Sequence, residues 1–338
     1  MAHIVVQKAL NAFDEKVKHS VSCATLNDNA LRVCPASLHN QVHMNEIVHA
    51  IEQKQEPTGT LKTFVQQCSQ CQLCKQHSPD GSQLDVLLLA LKAKIKNEYQ
   101  QPLHAQPASM LTTMQQKYVL FQKKAILGEL LHVIDKVPQA STILFAGEHI
   151  FCDDIQQVYA TVKQHMKIMG GFSLHSGYDF YVQGYMQKAY EQFALLASHL
   201  KQVKTIVAPS LATYRALSII KQEYQLSYTL LTLSQWLLQH PPTYKSLSVN
   251  VYHNTTWFMD HTCALQQCID GKDIDEQKQL PTMEYNYGFD EHNQVIIEKI
   301  KEAVHREALV VDCIWTAQVL RSQIDIPVYS IGSFIQHE

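Results

Sequence analysis

The stretch "KTIVAPSLATYRALSIIKQEY", residues 204–224, joins a short apolar run to an amphipathic segment of helical period. The first part predicts a buried β-strand, and the second part predicts an α-helix that follows it directly. The same order recurs in "ALVVDCIWTAQVLRSQI", residues 308–324, so that residues 205–217 can be laid over residues 308–320 without a gap. A strand–helix unit that occurs twice predicts parallel sheets covered by helices on both faces.

Other segments after residue 140 extend this alternation. Strands are predicted at 141–147 and 247–254, and a strand followed by a helix is predicted at 226–239 and again at 326–335. Helices are predicted at 181–200 and 292–307, and the "MGG" at 169–171 predicts a turn. Two tandem α/β units are therefore expected, at residues 141–245 and 246–338.

The first 100 residues have a different pattern of apolar residues and predict a small helical module. The segments "MNEIVHAIEQ" (44–53) and "QLDVLLLALKAKI" (83–95) predict two helices, each of which follows a cysteine-bearing segment. The polar stretch 98–109 predicts a linker, and residues 114–134 predict a long helix. We therefore expect a module at 1–100 and a linker with a bridging helix at 101–140.

Composition narrows the function classes. The net charge of the 338 residues is −3, and no cluster of Lys and Arg is interleaved with aromatic residues, so no nucleic-acid partner is expected. The N-terminus lacks the layout of a signal peptide, and the longest apolar stretch, 84–95, is too short for a transmembrane segment. The expected location is the cytoplasm, with peripheral attachment to the inner membrane through a partner as a further option. Nine cysteines in such a chain favour metal or redox use over disulfides.

The most specific motif is "CSQCQLCKQHSP", residues 68–79, which spaces Cys68, Cys71 and Cys74 at intervals of three. A ferredoxin-type run would place a fourth cysteine before the proline, but this chain has Ser78 before Pro79. Far upstream, Cys34 also precedes a proline. Three thiolates spaced two residues apart can occupy three corners of one iron–sulfur cube, and a distant cysteine can supply the fourth.

These features resemble, in this order, the iron–sulfur electron-transfer subunits typified by heterodisulfide reductase and by the glycolate oxidase iron–sulfur subunit. The resemblance covers about residues 20–335, and its further local elements are "TIVAPSLATYRAL" and "VYHNTTW". In that family a two-cluster ferredoxin-like module precedes two cysteine-rich CCG domains. The resemblance thus implies an α/β fold with an N-terminal helical ferredoxin-like module and two tandem CCG-like units with parallel sheets.

The resemblance also implies which cluster ligands are kept. In two-cluster ferredoxins the fourth cysteine of each run ligates the other cluster. On this scheme one ligand set is complete, and it consists of Cys34, Cys68, Cys71 and Cys74. The other set falls on Ala24, Asn27, Ala30 and Ser78. Because one ligand set is complete and the other is entirely absent, the resemblance implies that a single [4Fe–4S] cluster is kept. Ser78 belongs to the ligand set of the other cluster, which is lost. Two alternatives stay open, namely a zinc site that adds His77 to Cys68, Cys71 and Cys74, and a site without metal.

The α/β units have lost most of the cysteines that the family places there. Of ten such positions only Cys313 is a cysteine, and the other nine are Glu148, His175, Ser176, Ser210, Thr213, Thr256, Asn286, Tyr287 and Thr316. The noncubane clusters of some family members are therefore expected to be absent. The polar residues near the first vacated positions either form a carboxylate–imidazole metal site or fill the cavity with hydrogen bonds. These residues are Glu148, His149, Asp153, Asp154, His175 and Asp179.

No glycine-rich phosphate loop and no nucleophile elbow occurs in the sequence, so substrate oxidation would belong to a partner. The resemblance implies an electron-transfer subunit that accepts electrons from a flavoprotein dehydrogenase, with a 2-hydroxyacid such as glycolate or lactate as that partner's substrate. A membrane-associated respiratory complex is a further expected partner. The alternative is a non-catalytic scaffold or assembly subunit that keeps the CCG fold without redox activity.

Overall fold

The architecture is taken from a computed structural model. It describes residues 2–24, 28–32, 34–38, 40–68, 70, 74, 83–96, 128–252, 268–269, 272–273 and 290–336. Within these ranges the chain is a mixed α/β protein that falls into two compact units. The first unit comprises residues 1–106, 179–191 and 281–296, and the second comprises residues 107–178, 192–280 and 297–338.

From residue 142 onward most of the described strands are separated by helices, as the strand–helix repeat predicts. The helices are α1 Ala2–Cys23, α2 Asn29–Arg32, α3 Met44–Glu52, α4 Gly59–Gln67, α5 Leu84–Lys96, α6 Gly128–Leu131, α7 Asp153–Val162, α8 Tyr178–Gln183, α9 Met186–Leu200, α10 Leu211–Glu223, α11 Leu233–Gln239, α12 Asp290–Ala303 and α13 Ile314–Arg321. The strands are β1 Thr142–Gly147, β2 Lys167–Gly170, β3 Thr205–Ala208, β4 Thr229–Thr232, β5 Val249–Tyr252, β6 Lys272–Asp273, β7 Ala308–Val311 and β8 Val328–Ser330.

The first unit is built around α5. Every residue of this helix from Leu84 to Lys92 is buried, and α1, α3 and α4 all pack against it. Helix α1 contributes an apolar face at helical spacing, formed by Val6, Ala9, Phe13 and Val17. The predicted helices at 44–53 and 83–95 are confirmed as α3 and α5, whereas α1 and α4 were not predicted.

The helix predicted at 181–200 is interrupted, since α8 ends at Gln183 and α9 begins at Met186. The break lies at Gly184, whose backbone has a φ of +87°. A Cβ atom at this position would lie 2.7 Å from the backbone carbonyl carbon of Lys92. The chain therefore needs a residue without a side chain here, because the segment passes directly over the backbone of α5.

The second unit contains two four-stranded sheets of parallel strands. Their strand orders are β2-β1-β3-β4 and β6-β5-β7-β8, so the two sheets have the same topology. The central strands β1, β3, β5 and β7 are almost fully buried. This burial explains why they are continuous apolar runs rather than alternating ones.

One hydrophobic core joins the two sheets. It includes Leu144 of the first sheet, Val310 of the second, and the α7 residues Ile155 and Val158. The backbone amide of Ile314, at the start of α13, donates to the carbonyl of Pro209 at the end of β3, with an N···O distance of 3.5 Å. The carboxyl ends of β3 and β7 therefore meet within this unit.

The strand predictions for 141–147, 204–210, 247–254 and 308–313 are confirmed as β1, β3, β5 and β7. The turn predicted at 169–171 is wrong for its first two residues, because Met169 and Gly170 belong to β2. Of the helix predicted at 114–134, residues 114–127 lie outside the described part of the chain, and residues 128–131 form α6.

Gly332, in the turn after β8, tests how tightly the second unit is packed. A Cβ atom at this position would overlap the Cγ2 methyl group of Val158 on α7. We expect Gly332→Ala to lower the free energy of unfolding by about 1–3 kcal/mol, the usual cost of overpacking a core. Urea unfolding of the parent protein and of the variant measures this difference in unfolding free energy.

Removal of the obstructing methyl group should relieve this strain. In the double variant Gly332→Ala/Val158→Ala, the nearest Val158 atom to the new methyl group would be the Cβ atom, at 3.3 Å. The double variant should therefore be less destabilised than the sum of the two single variants. Additive costs would show that the two residues do not compete for the same space.

Candidate iron–sulfur site

Cys34 begins a short turn in the first unit. It is buried, its backbone amide donates to the carbonyl of Leu31 at 3.0 Å, and its carbonyl accepts from the amide of Ser37 at 2.9 Å. The turn that follows is a 3₁₀ helix, Pro35–Leu38. Proline suits its first position because the amide there needs no partner within the helix. The Cys-Pro pair thus places the Cys34 side chain at the entrance of a tight turn.

Cys68 lies directly after α4. Its backbone is extended, which ends the helix, and its amide still donates to the carbonyl of Val65 at 3.3 Å. The helix therefore ends at the first cysteine of the run.

A buried asparagine connects the two cysteine segments. The side-chain amide of Asn40 donates to the carbonyl of Ala36 at 3.1 Å and also to the side-chain oxygen of Gln67. Ala36 belongs to the turn that Cys34 opens, and Gln67 is the last residue of α4, next to Cys68. The turn also packs against α4. Cys34 and Cys68, which are 34 positions apart in the sequence, are therefore carried by neighbouring segments.

The sulfur of Cys68 accepts two N–H groups from one residue. The backbone nitrogen and the side-chain Nε2 of Gln70 both lie 3.4 Å from Cys68 Sγ. Gln70 is buried and has a left-handed backbone with a φ of +59°, which is uncommon for a residue other than glycine. Its Nε2 also donates to the carbonyl of Asp85 on α5 at 3.0 Å. A sulfur that accepts two N–H groups suits a thiolate bound to iron.

A buried lysine lies beside the same segment. The Lys92 Nζ of α5 donates to the carbonyl of Cys68, and also to that of Val182 at 2.8 Å. Burial lowers the pKa of Lys92, and the charge of the Cys68 thiolate acts in the opposite direction. Neither Gln70 nor Lys92 was predicted from the sequence as part of the site, because only the folded chain brings them to Cys68.

The remaining residues of the predicted site are described only in part. Cys74 is buried, whereas Cys71, His77 and Ser78 lie outside the described residues. Among the residues that are described, no three His, Cys, Asp or Glu side chains are grouped so that they could hold a metal ion. The four-thiolate set of Cys34, Cys68, Cys71 and Cys74 therefore stays a prediction.

The polar residues at the end of β1 form hydrogen bonds, which was one of the two options predicted from the sequence. The buried Glu148 carboxylate accepts from the backbone nitrogen and from the hydroxyl of Ser176, each at 2.8 Å. Burial by itself would raise the pKa of Glu148, but the charge of His149 and the Ser176 amide outweigh it and hold this pKa below its ordinary value. Asp154 is engaged elsewhere, because Arg321 donates to both of its carboxylate oxygens at 2.9 and 3.0 Å.

The carboxylate–imidazole metal site is the other option for this region. All six of its candidate residues are described, and among the described residues no three His, Cys, Asp or Glu side chains are placed to hold a metal ion. The Nδ1 atom of His175 accepts from the amide of Gly177 at 3.1 Å, so the proton of the neutral ring is on Nε2. The Gly177 amide thus fixes the orientation of this ring.

Ser210 and Cys313 are two of the ten positions named from the resemblance, and they follow the carboxyl ends of β3 and β7. The hydroxyl of Ser210 caps α10 by accepting from the amide of Thr213 at 3.2 Å, and it donates to the Thr213 hydroxyl at 2.9 Å. Cys313 is buried and packs against Leu211. Cys313 thus lies in an apolar contact.

Comparisons with family models, with curated proteins and with solved structures found no match to this chain. In the part of the chain that the structure describes, no helix combines the length and the apolar character that a membrane crossing needs.

His175 provides a test of the buried polar cluster at β1. Burial lowers the pKa of His175 below its ordinary value of 6.5, against the opposing charges of Glu148 and Asp135. The unfolded chain therefore binds a proton more readily, and stability falls as the pH drops below about 6.5. His175→Asn keeps an acceptor for the Gly177 amide but cannot be protonated.

We therefore expect the His175→Asn variant to lose less stability than the parent protein between about pH 7 and pH 5. Urea unfolding across this range, with both proteins measured in the same buffers, gives the two pH profiles. Parallel profiles would show that protonation of His175 does not contribute to the acid sensitivity.

Proposed function

We propose that the protein is an iron–sulfur electron-transfer subunit with one [4Fe–4S] cluster, held by Cys34, Cys68, Cys71 and Cys74. The observation that carries this proposal is the Asn40 link, which joins the Cys34 turn to the end of α4 beside Cys68. A remote fourth cysteine must be brought to the three-cysteine run by tertiary structure, and the link supplies such a connection. The two N–H groups on Cys68 Sγ support the same assignment, because an iron-bound thiolate is a hydrogen-bond acceptor.

The proposed partner is a flavoprotein dehydrogenase, and the proposed source of electrons is a 2-hydroxyacid such as glycolate or lactate. This part rests on the family resemblance and on the absence of nucleotide-binding motifs from the sequence. One [4Fe–4S] cluster carries one electron at a time, so it would pass electrons singly from the flavin to the next acceptor. The two sheets of like topology support a descent from tandem CCG-like units, which would serve as the docking surface.

A second candidate function is a scaffold or assembly subunit that keeps the fold without redox activity. The observation that favours it is the hydrogen-bonded filling at β1, where Glu148 and Ser176 satisfy each other. The apolar packing of Cys313 against Leu211 points the same way. On this view the retained cysteines would be structural or would hold zinc.

Metal and sulfide analysis separates the two functions. We expect anaerobically purified parent protein to contain about four iron and four acid-labile sulfide per chain, and little zinc. Cys34→Ser should lose or destabilise the cluster, because it removes the fourth thiolate. Cys23→Ser is the matched control, since Cys23 is a cysteine of the same unit that lies outside the proposed ligand set.

Equal loss of iron in the Cys34→Ser and Cys23→Ser variants would remove Cys34 from the ligand set. A parent protein that stays free of iron and sulfide even after anaerobic reconstitution would overturn the electron-transfer proposal. Stoichiometric zinc in place of iron would have the same consequence and would support the Cys3His alternative.

A further inference from the structure

We propose that Lys92 and Gln70 are positioning residues that raise the reduction potential of this cluster by stabilising negative charge at Cys68; the inference rests on the proposed function. Neither residue would bind iron. Both act through Cys68, since Gln70 donates to its sulfur and Lys92 donates to its carbonyl oxygen.

The charge of Lys92 favours the reduced state. Reduction adds one negative charge to a cluster, and a cation close by in a medium of low dielectric constant stabilises that charge. Lys92 is a buried residue of α5 and only 7% exposed, so the medium around it has a low dielectric constant. Its amino group is fixed between two backbone carbonyls, those of Cys68 and Val182, so its position is set by the fold.

The donors of Gln70 act in the same direction. Hydrogen bonds to the sulfur ligands are one of the factors that set the potential of an iron–sulfur cluster, because they draw electron density from the thiolate. The left-handed backbone of Gln70 directs its own amide towards Cys68 Sγ. The side chain bridges from the same sulfur to the carbonyl of Asp85 on α5, which holds the second donor in place.

The helix offers a matched control for the charge. Lys94 is two positions further along α5 and also donates to two backbone carbonyls, those of Ala50 and Ile51, at 3.2 Å each. Lys94→Met therefore removes the same charge and the same number of carbonyl contacts as Lys92→Met. Only the Lys92 substitution removes a cation from beside Cys68.

Redox titration of the parent protein and of both variants, monitored by electron paramagnetic resonance, tests the inference. We expect Lys92→Met to disfavour reduction by about tenfold, which is a fall of about 59 mV for one electron. Lys94→Met should leave the potential close to that of the parent, and Lys92→Arg, which keeps the charge, should restore most of it. An unchanged potential in Lys92→Met, or an equal fall in Lys94→Met, overturns the role of Lys92.

A second variant and a measurement on the parent protein cover the case in which Lys92→Met fails to assemble the cluster. Gln70→Met removes the side-chain donor without a change of charge and should lower the potential by a smaller amount. In the parent, exchange into D₂O should shift the Fe–S stretching bands of the resonance Raman spectrum, because N–H groups contact the sulfur. Unshifted bands together with an unchanged potential in Gln70→Met would overturn the role of Gln70.

The two proposals fail in different ways. Absence of iron and sulfide from the parent protein overturns the proposed function and this inference together. A stoichiometric cluster whose potential does not respond to Lys92 or Gln70 leaves the electron-transfer function intact and overturns only the inference drawn here.

Discussion

The burial of α5 is the constraint on which the first unit depends. A helix that is buried from Leu84 to Lys92 can carry a lysine only if its amino group finds acceptors inside the protein. Lys92 finds them in the carbonyls of Cys68 and Val182, so satisfying one buried charge fixes two other segments of the chain. Gln70 is held by the same helix, because its Nε2 donates to the carbonyl of Asp85. Cys68 and Gln70 are therefore held in place by the core helix.

The parts of the fold that could be predicted are those in which local pattern and burial agree. Strands β1, β3, β5 and β7 are continuous apolar runs, and each is buried in a parallel sheet. Strand β2 was missed because its four residues end in a glycine, which is a signal for a turn. The break between α8 and α9 could not be foreseen either, since Gly184 is required by the approach of the Lys92 backbone.

The residues of the candidate site could likewise be predicted only in part. Its cysteines could be named from their spacing and from the resemblance, because ligand type is a property of the sequence. Asn40, Gln70 and Lys92 could not be named, because an amide or an amino group has no characteristic spacing and acquires its role only from its neighbours. The Asn40 link depends on a turn and a helix end that are remote in sequence. Supporting residues of a metal site are in general of this kind.

The side chains at the ends of β1, β3 and β7 are accommodated in two different ways. At the end of β1 a carboxylate and a serine satisfy each other, and at the end of β3 the Ser210 hydroxyl caps a helix and bonds to Thr213. At the end of β7, Cys313 packs against Leu211 as an apolar side chain. A buried polar group needs a partner, whereas a thiol tolerates an apolar environment. The polar side chains at β1 and β3 accordingly lie where hydrogen-bond partners are available, whereas Cys313 packs in an apolar contact.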